Sequence, residues 1–386
     1  MGSFNRLSVI IAFPSKSQGG CEEYALTLAR SIDQQGFGVH ALFPLSKGTQ
    51  SLRESFSAFE LSYTPLILRY WLPGRFRRVR FAWDIFMIVL CILKKNPRSV
   101  HISLPWPDTA TELLLACALL RVRTVVTFQL VGEKFTLSPK LRRWYLWARS
   151  RNQEWVAVSE NNRIILSNVF GISIQEIHLV YNGVTLPKPT ITSSQISEIT
   201  GYTPFILTVG RLSYQKGFDV LLRAFANIQP MFSSIKLVIV GDGELLEELV
   251  RQAIQLNLAD RVVFTGKRLD VPNWLYNAKL FVLPSRSEGQ SFALLEAMAA
   301  GVPIVASSAS SIPDVVVHEK EGIIFEKDNV LDLTQKLIWA LMHMNEMNIL
   351  AANAKEKAGQ FSREAMLRQT LQLLGITFHN EPDPRP

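Results

Sequence analysis

Apolar runs of strand length alternate with helical stretches twice along this chain, and that repetition confines it to two doubly wound parallel sheets. In the first half the strand segments are Leu7–Phe13, Gly38–Phe43, Ser99–Leu104, Thr124–Phe128 and Trp155–Ser159. Helical segments lie between them, among them Cys21–Gln35, Asp84–Lys95 and Thr109–Leu120. Residues 187–203, PKPTITSSQISEITGYT, are rich in Pro, Ser and Thr, carry little core pattern and read as a link. A second alternating series runs from Phe205 to about Phe325, and Ser362–Leu374 is a last helix. The 386 residues suffice for two domains at about 100–200 residues each. Two such sheets place a ligand in a crevice at their strand carboxyl ends.

Composition excludes several classes. At 48% hydrophobic and 19% charged the chain is globular rather than disordered. Cys21, Cys91 and Cys117 are spaced neither as metal ligands nor as a disulfide framework, and the six histidines form no H-x-x-x-H pair. No signal peptide is expected, because the N-terminus runs almost directly into the apolar LSVIIAFP. The longest apolar run, Ile85–Leu93, has about half of the ~20 residues that a membrane-crossing helix needs.

Charge is unevenly divided. Residues 1–190 hold 23 Lys/Arg against 12 Asp/Glu, whereas the remainder holds 18 against 21. A basic half faces an anionic partner. No nucleic-acid motif accompanies it, so a membrane surface or a phosphate-bearing acceptor fits better than nucleic acid.

Chemistry concentrates in residues 281–306, FVLPSRSEGQSFALLEAMAAGVPIVA, which read as strand, loop, helix, strand. Glu288 precedes the helix, and Glu296 is expected about two turns into it, with seven residues between the two. Carboxylates so placed accept hydrogen bonds from sugar hydroxyls. The Gly289–Phe292 stretch brings backbone N–H groups to a helix start, where anions are favoured. Arg211 and Lys216 flank a turn directly after the strand FILTVG, in position to neutralise a diphosphate. No D-x-D triplet occurs, which argues against a metal-bridged diphosphate. Gly241–Gly243 lacks the third glycine of a dinucleotide site, and no G-x-x-x-x-G-K-[ST] is present. Gly19 and Gly20 follow the first strand and open a helix, allowing close backbone approach to a phosphate or sugar.

These motifs, in this order, resemble the retaining glycosyltransferases of family 4. The E-x7-E of Glu288 and Glu296, FILTVGRLSYQKGFDVLLRAF (205–225), IKLVIVGDGELLEELV (235–250) and RVVFTGKRLDVPNWLYNAKLFVLPS (261–285) carry the resemblance. It implies a GT-B fold, two Rossmann-like domains facing across a cleft. Domain 1–188 would bind the acceptor and 204–361 the nucleotide sugar, joined by a linker at 189–203. Helix 362–376 would cross back to the first domain, and 377–386 would be a disordered tail.

The resemblance also assigns roles. Arg211 and Lys216 would hold the donor diphosphate and stabilise the leaving group, with Glu288 contacting the transferred sugar and Glu296 the ribose. Gly19, Gly20, Gly210, Gly289, Ser291 and Phe292 would complete the donor site. Glu22 matches the glutamate of a G-G-x-E loop bordering donor and acceptor. At Gln129 the family commonly has a histidine; glutamine cannot titrate, so acid–base chemistry is excluded there. His101, on the preceding strand, is a candidate substitute.

The function so implied is transfer of a sugar from a nucleotide-diphosphate donor to a glycan or lipid-linked acceptor, with retention and with neither metal nor cofactor. The setting expected is cell-surface polysaccharide or glycolipid synthesis. The segment Arg69–Lys95, mixing Arg with Trp and Phe, and KLRRWYLWARSR (140–151) suit anionic lipid head groups at the cytoplasmic face of a membrane. The rivals are a catalytically silent nucleotide-sugar-binding subunit and a related GT-B epimerase or phosphorylase.

Overall fold

The computed structural model of the chain describes residues 8–15, 19–66, 77–185, 196, 198, 201 and 204–377. The chain divides into unit 1, residues 1–182 with 364–386, and unit 2, residues 183–363. The link expected at 189–203 and the tail at 377–386 lie largely outside the described residues.

Unit 1 is built on β1 (Ser8–Ala12), β2 (Gly38–Phe43), β3 (Ser62–Pro65), β4 (Ser99–Leu104), β5 (Arg123–Phe128), β6 (Gln153–Ala157) and β7 (His178–Leu179). All are parallel, in the order 3-2-1-4-5-6-7. Every residue of β4 is buried, as in a strand covered on both faces. Helices α1 (Gly20–Gln34), α2 (Gln50–Ala58), α3 (Arg77–Lys95), α4 (Thr111–Leu120), α5 (Pro139–Arg149) and α6 (Glu160–Phe170) provide the cover. The core joins Ile10, Ile102, Val126 and Trp155 to Tyr145 and Phe170.

The edge strands β3 and β7 were not among the strands expected, and two of the expected elements have other bounds for identifiable reasons. Helix α3 opens at Arg77, seven residues before the expected Asp84. Its Arg-rich first turns look like a solvated loop, yet the Arg80–Asp84 pair at 3.8 Å has the i,i+4 spacing that supports a helix. Strand β6 ends at Ala157 rather than Ser159. Ser159 is the N-cap of α6, its hydroxyl accepting from the Asn162 N–H at 3.2 Å.

Unit 2 carries β8 (Phe205–Val209), β9 (Lys236–Val240), β10 (Val262–Gly266), β11 (Leu280–Leu283), β12 (Ile304–Ser307) and β13 (Ile323–Phe325). The parallel order is 10-9-8-11-12-13, so strand order reverses between β8 and β11. The loops after those two strands flank the switch point, where open α/β sheets bind ligands. Helices here are α7 (Phe218–Ile228), α8 (Leu246–Gln255), α9 (Val271–Asn277), α10 (Phe292–Ala300), α11 (Ile312–Val315), α12 (Val330–Met342) and α13 (Met344–Ala358). Ile206, Leu221, Phe225, Leu237, Val282 and Leu333 lie in its core.

The ends of unit 2 lie side by side. The Val184 N–H donates to the Phe361 carbonyl at 2.9 Å, and the Arg363 N–H to the Val184 carbonyl at 3.2 Å. The approach is close enough that a Cβ on Gly183 would stand 2.4 Å from the Ser362 carbonyl oxygen. The last helix, α14 (Arg363–Leu373), packs in unit 1. Thr370 meets the Tyr24 hydroxyl at 3.3 Å, and Arg123 Nε donates to the Leu373 carbonyl at 2.8 Å.

Candidate functional site

The switch point of unit 2 brings together the residues that the sequence singled out after β8 and β11. Lys216 Nζ stands 2.5 Å from Glu288 Oε1, and the same oxygen accepts from the Ser285 hydroxyl at 2.6 Å. Glu288 is buried and Lys216 mostly so. The lysine stem passes beside Gly210, 3.5 Å from where a Cβ would sit, which is ordinary packing distance. A buried charge pair with an added hydrogen bond is the condition under which a carboxylate is tolerated in such a place. Arg211, in the same loop, is exposed.

Gly289, Gln290 and Ser291 are buried and lead into α10. Ser291 is its N-cap, the hydroxyl accepting from Leu294 N–H at 3.4 Å. Because the helix opens at Phe292, Glu296 lies little more than one turn in, not two, and is half-buried. The Ser311 hydroxyl donates to the Glu288 carbonyl at 3.0 Å and steadies the backbone under the carboxylate.

Behind this pair lies a set of residues that the sequence reading passed over. Arg286 donates through Nε to Asp328 at 2.5 Å and through Nη1 and Nη2 to the two Asp219 carboxylate oxygens at 2.8 and 2.9 Å. Burial raises the Asp219 carboxyl, but the hydrogen bonds and charge of Arg286 outweigh it and hold the group below its ordinary range. The Asp219 hydrogen bonds in turn raise the arginine. Both residues stood inside quoted segments, Asp219 in QKGFD and Arg286 in PSRSEG. What hid them is that their partners are far apart in sequence.

In unit 1 the Gly19–Gly20 turn opens α1, with Gly19 in extended backbone as its N-cap. Glu22, in the first turn, is buried. Cys21 Sγ lies 3.1 Å from the Ser103 hydroxyl, which accepts from Gln129 Nε2 at 3.3 Å. Gln129 Oε1 accepts from Asn182 Nδ2 at 3.3 Å, so the amide that stands in place of a histidine is held at both ends. His101 does not take over from it. The ring is fully buried, with Nε2 at 3.0 Å from Thr127 Oγ1 and 3.4 Å from the Tyr24 hydroxyl. Burial alone pulls its pKa to about 3, so the ring is neutral, and it packs as a core histidine with no exposed surface.

Comparison with known proteins agrees with this architecture. The Anabaena protein HepE, solved in complex with UDP, superposes with a TM-score of 0.77 at 18% identity, covering 95% of this chain and 99% of that one. Two doubly wound sheets matching over that extent define the GT-B fold. The family "Glycosyltransferase Family 4" matches residues 18–187, and "Glycosyl transferases group 1" matches residues 190–357. The chain belongs to the family 4, group 1 glycosyltransferases.

Among curated relatives, an uncharacterized glycosyltransferase of Haemophilus influenzae is 32% identical over 152 residues, 39% of this chain and 42% of that protein. The Escherichia coli UDP-Gal:alpha-D-GlcNAc-diphosphoundecaprenol alpha-1,3-galactosyltransferase is 31% identical over 211 residues, 52% and 53% of the two chains. The chain spans about half the length of the curated relatives it matches.

Proposed function

We propose that this protein transfers a sugar, with retention and without a metal, from a nucleotide-diphosphate donor to a lipid-linked or glycan acceptor. The Lys216–Glu288 pair at the switch point of unit 2 carries the reading. As the bond between the sugar and the diphosphate breaks, its electron pair leaves with the phosphate. Lys216 and Arg211 stabilise that developing charge. Glu288 faces the sugar carbon as it gains positive character, and the acceptor hydroxyl attacks from the side the diphosphate leaves, its proton passing to the departing phosphate oxygen. Glu296 holds the ribose, and the amides of Gly289–Phe292 lie against the phosphates. HepE, with its UDP, and the diphosphoundecaprenol-dependent relative support the donor and acceptor classes.

The acceptor reading extends to a peripheral contact of unit 1 with an anionic membrane at its cytoplasmic face. Helix α3 exposes Val79, Trp83, Phe86, Met87, Leu90 and Leu93 and ends in Lys94 and Lys95. It forms one wall of a largely apolar cavity of about 520 Å³. Among the described residues no helix is long and apolar enough to cross a membrane, so the contact would be at the surface.

Incubation with UDP-, GDP-, ADP- and dTDP-sugars in EDTA, with and without a lipid extract, tests the transfer. Release of one nucleotide that requires the extract, lost in Glu288→Ala and Lys216→Ala, is the expected result; the anomeric proton signal of the product reports retention. The second reading is a catalytically silent nucleotide-sugar-binding subunit. Gln129, tethered between Ser103 and Asn182 where a histidine is usual, favours it. Nucleotide binding without release from any donor would decide for that subunit.

A further inference from the structure

The loops that carry Lys216 and Glu288 are fastened to each other away from those two side chains. The Arg286 N–H donates to the Gln215 carbonyl at 2.7 Å, and Gln215 Nε2 returns a bond to the Ser287 carbonyl at 2.8 Å. Gly217, at φ +67°, presses so closely that an added Cβ would stand 2.1 Å from the Pro284 carbonyl oxygen. The Arg286 side chain crosses this seam. Its Nη1 donates to the Tyr214 carbonyl at 2.8 Å, and its guanidinium lies 4.0 Å from the centre of the Tyr214 ring. With Asp219 on the first turn of α7 and Asp328 beyond β13, one planar group ties three segments together. It is 11% exposed, whereas the Asp328 side chain is 49% exposed.

The spacing along the chain gives this fastening its consequence. Arg286 stands two residues before Glu288, and its backbone partners Tyr214 and Gln215 stand two and one before Lys216. Arg286 forms no hydrogen bond or ion pair with either member of the pair, yet it bonds together the backbones from which both reach. A lysine could supply charge at this position, but not the fixed fork that meets two carboxylates and a carbonyl together.

We propose that Arg286 is a positioning residue that places the Lys216 ammonium for the terminal phosphate of a nucleoside diphosphate. The inference rests on the donor reading above. A pair of ligands differing only in that phosphate isolates it. Nucleoside monophosphates report ribose and base contacts, and diphosphates add the contact assigned to Lys216.

The experiment measures affinities of UMP and UDP, AMP and ADP, and GMP and GDP by calorimetry for the full chain and its variants, at temperatures where each is folded. Wild-type protein is expected to prefer the diphosphate of one base. In Arg286→Ala and Arg286→Lys that preference is expected to fall by about tenfold, the size of one charged hydrogen bond, with monophosphate affinity kept. Lys216→Met should give the same loss, and Asp328→Asn, at a half-exposed position, a smaller loss of about threefold.

A general loss of structure would weaken both ligands together and leave their ratio unchanged. An unchanged ratio in folded Arg286→Ala overturns the inference while leaving the donor reading intact. Should the Arg286 variants not fold, an unchanged ratio in Asp328→Asn overturns it. No preference for any diphosphate in the wild type removes the donor reading, and the inference with it.

Discussion

Single residues decide whether the two loops of unit 2 can meet. Gly217 is tightly constrained, since it combines positive φ with a backbone oxygen where a side chain would begin. Gly217→Ala therefore both strains the backbone and parts the loops. The expected cost is about 2 kcal/mol or more in urea denaturation, accompanied by weaker nucleotide binding. A loss confined to a few tenths would show that the loops relax without harm. At this scale the sequence was informative about chemistry and uninformative about support. Glu288 and Lys216 stood out because of the E-x7-E spacing and the order of the segments around them; either charge alone reads as a solvated loop residue. Asp219 and Asp328 did not, because a hydrogen bond across 67 or 42 residues leaves no local pattern.

At the scale of elements, β2 and β3 hold a group whose protonation bears on their pairing. His40 on β2 is buried, with Nδ1 at 2.8 Å from Ser62 Oγ and Nε2 at 2.8 Å from Thr64 Oγ1 on β3. Burial, helped by the charge of Lys95, lowers its pKa from 6.5 to about 4. A histidine held neutral stabilises the fold fully above its unfolded pKa, and that stability is lost as pH falls from 6.5 through about 4. The contribution is on the order of 2 kcal/mol. His40→Gln keeps hydrogen-bonding capacity without titrating, so its melting temperature should decline less than that of the wild type over this interval. Parallel curves would refute the assignment. Most strands were legible because buried runs such as SVHISL admit few alternatives. The opening of α3 was not, since Arg-Arg-Val-Arg has neither an apolar stripe nor a cap.

Across the whole molecule, charge and exposed apolar surface coincide in unit 1. The basic excess of residues 1–190 and the apolar side chains of α3 belong to the same part of the chain. Cosedimentation with vesicles should rise with their anionic fraction, fall with salt, and weaken in Trp83→Ala and Leu93→Ala. Equal sedimentation with neutral and anionic vesicles would remove membrane contact from the proposed function.

The path of the chain also fixes an order of events. Unit 2 is one uninterrupted segment whose two ends are joined by hydrogen bonds of Val184 to Phe361 and Arg363, whereas unit 1 is made of the two stretches on either side of it. During synthesis almost all of unit 2 precedes α14, and Thr370, which α14 seats beside Tyr24, is added after the last residue of unit 2. The half of the protein that is made first is thus the half that is finished last.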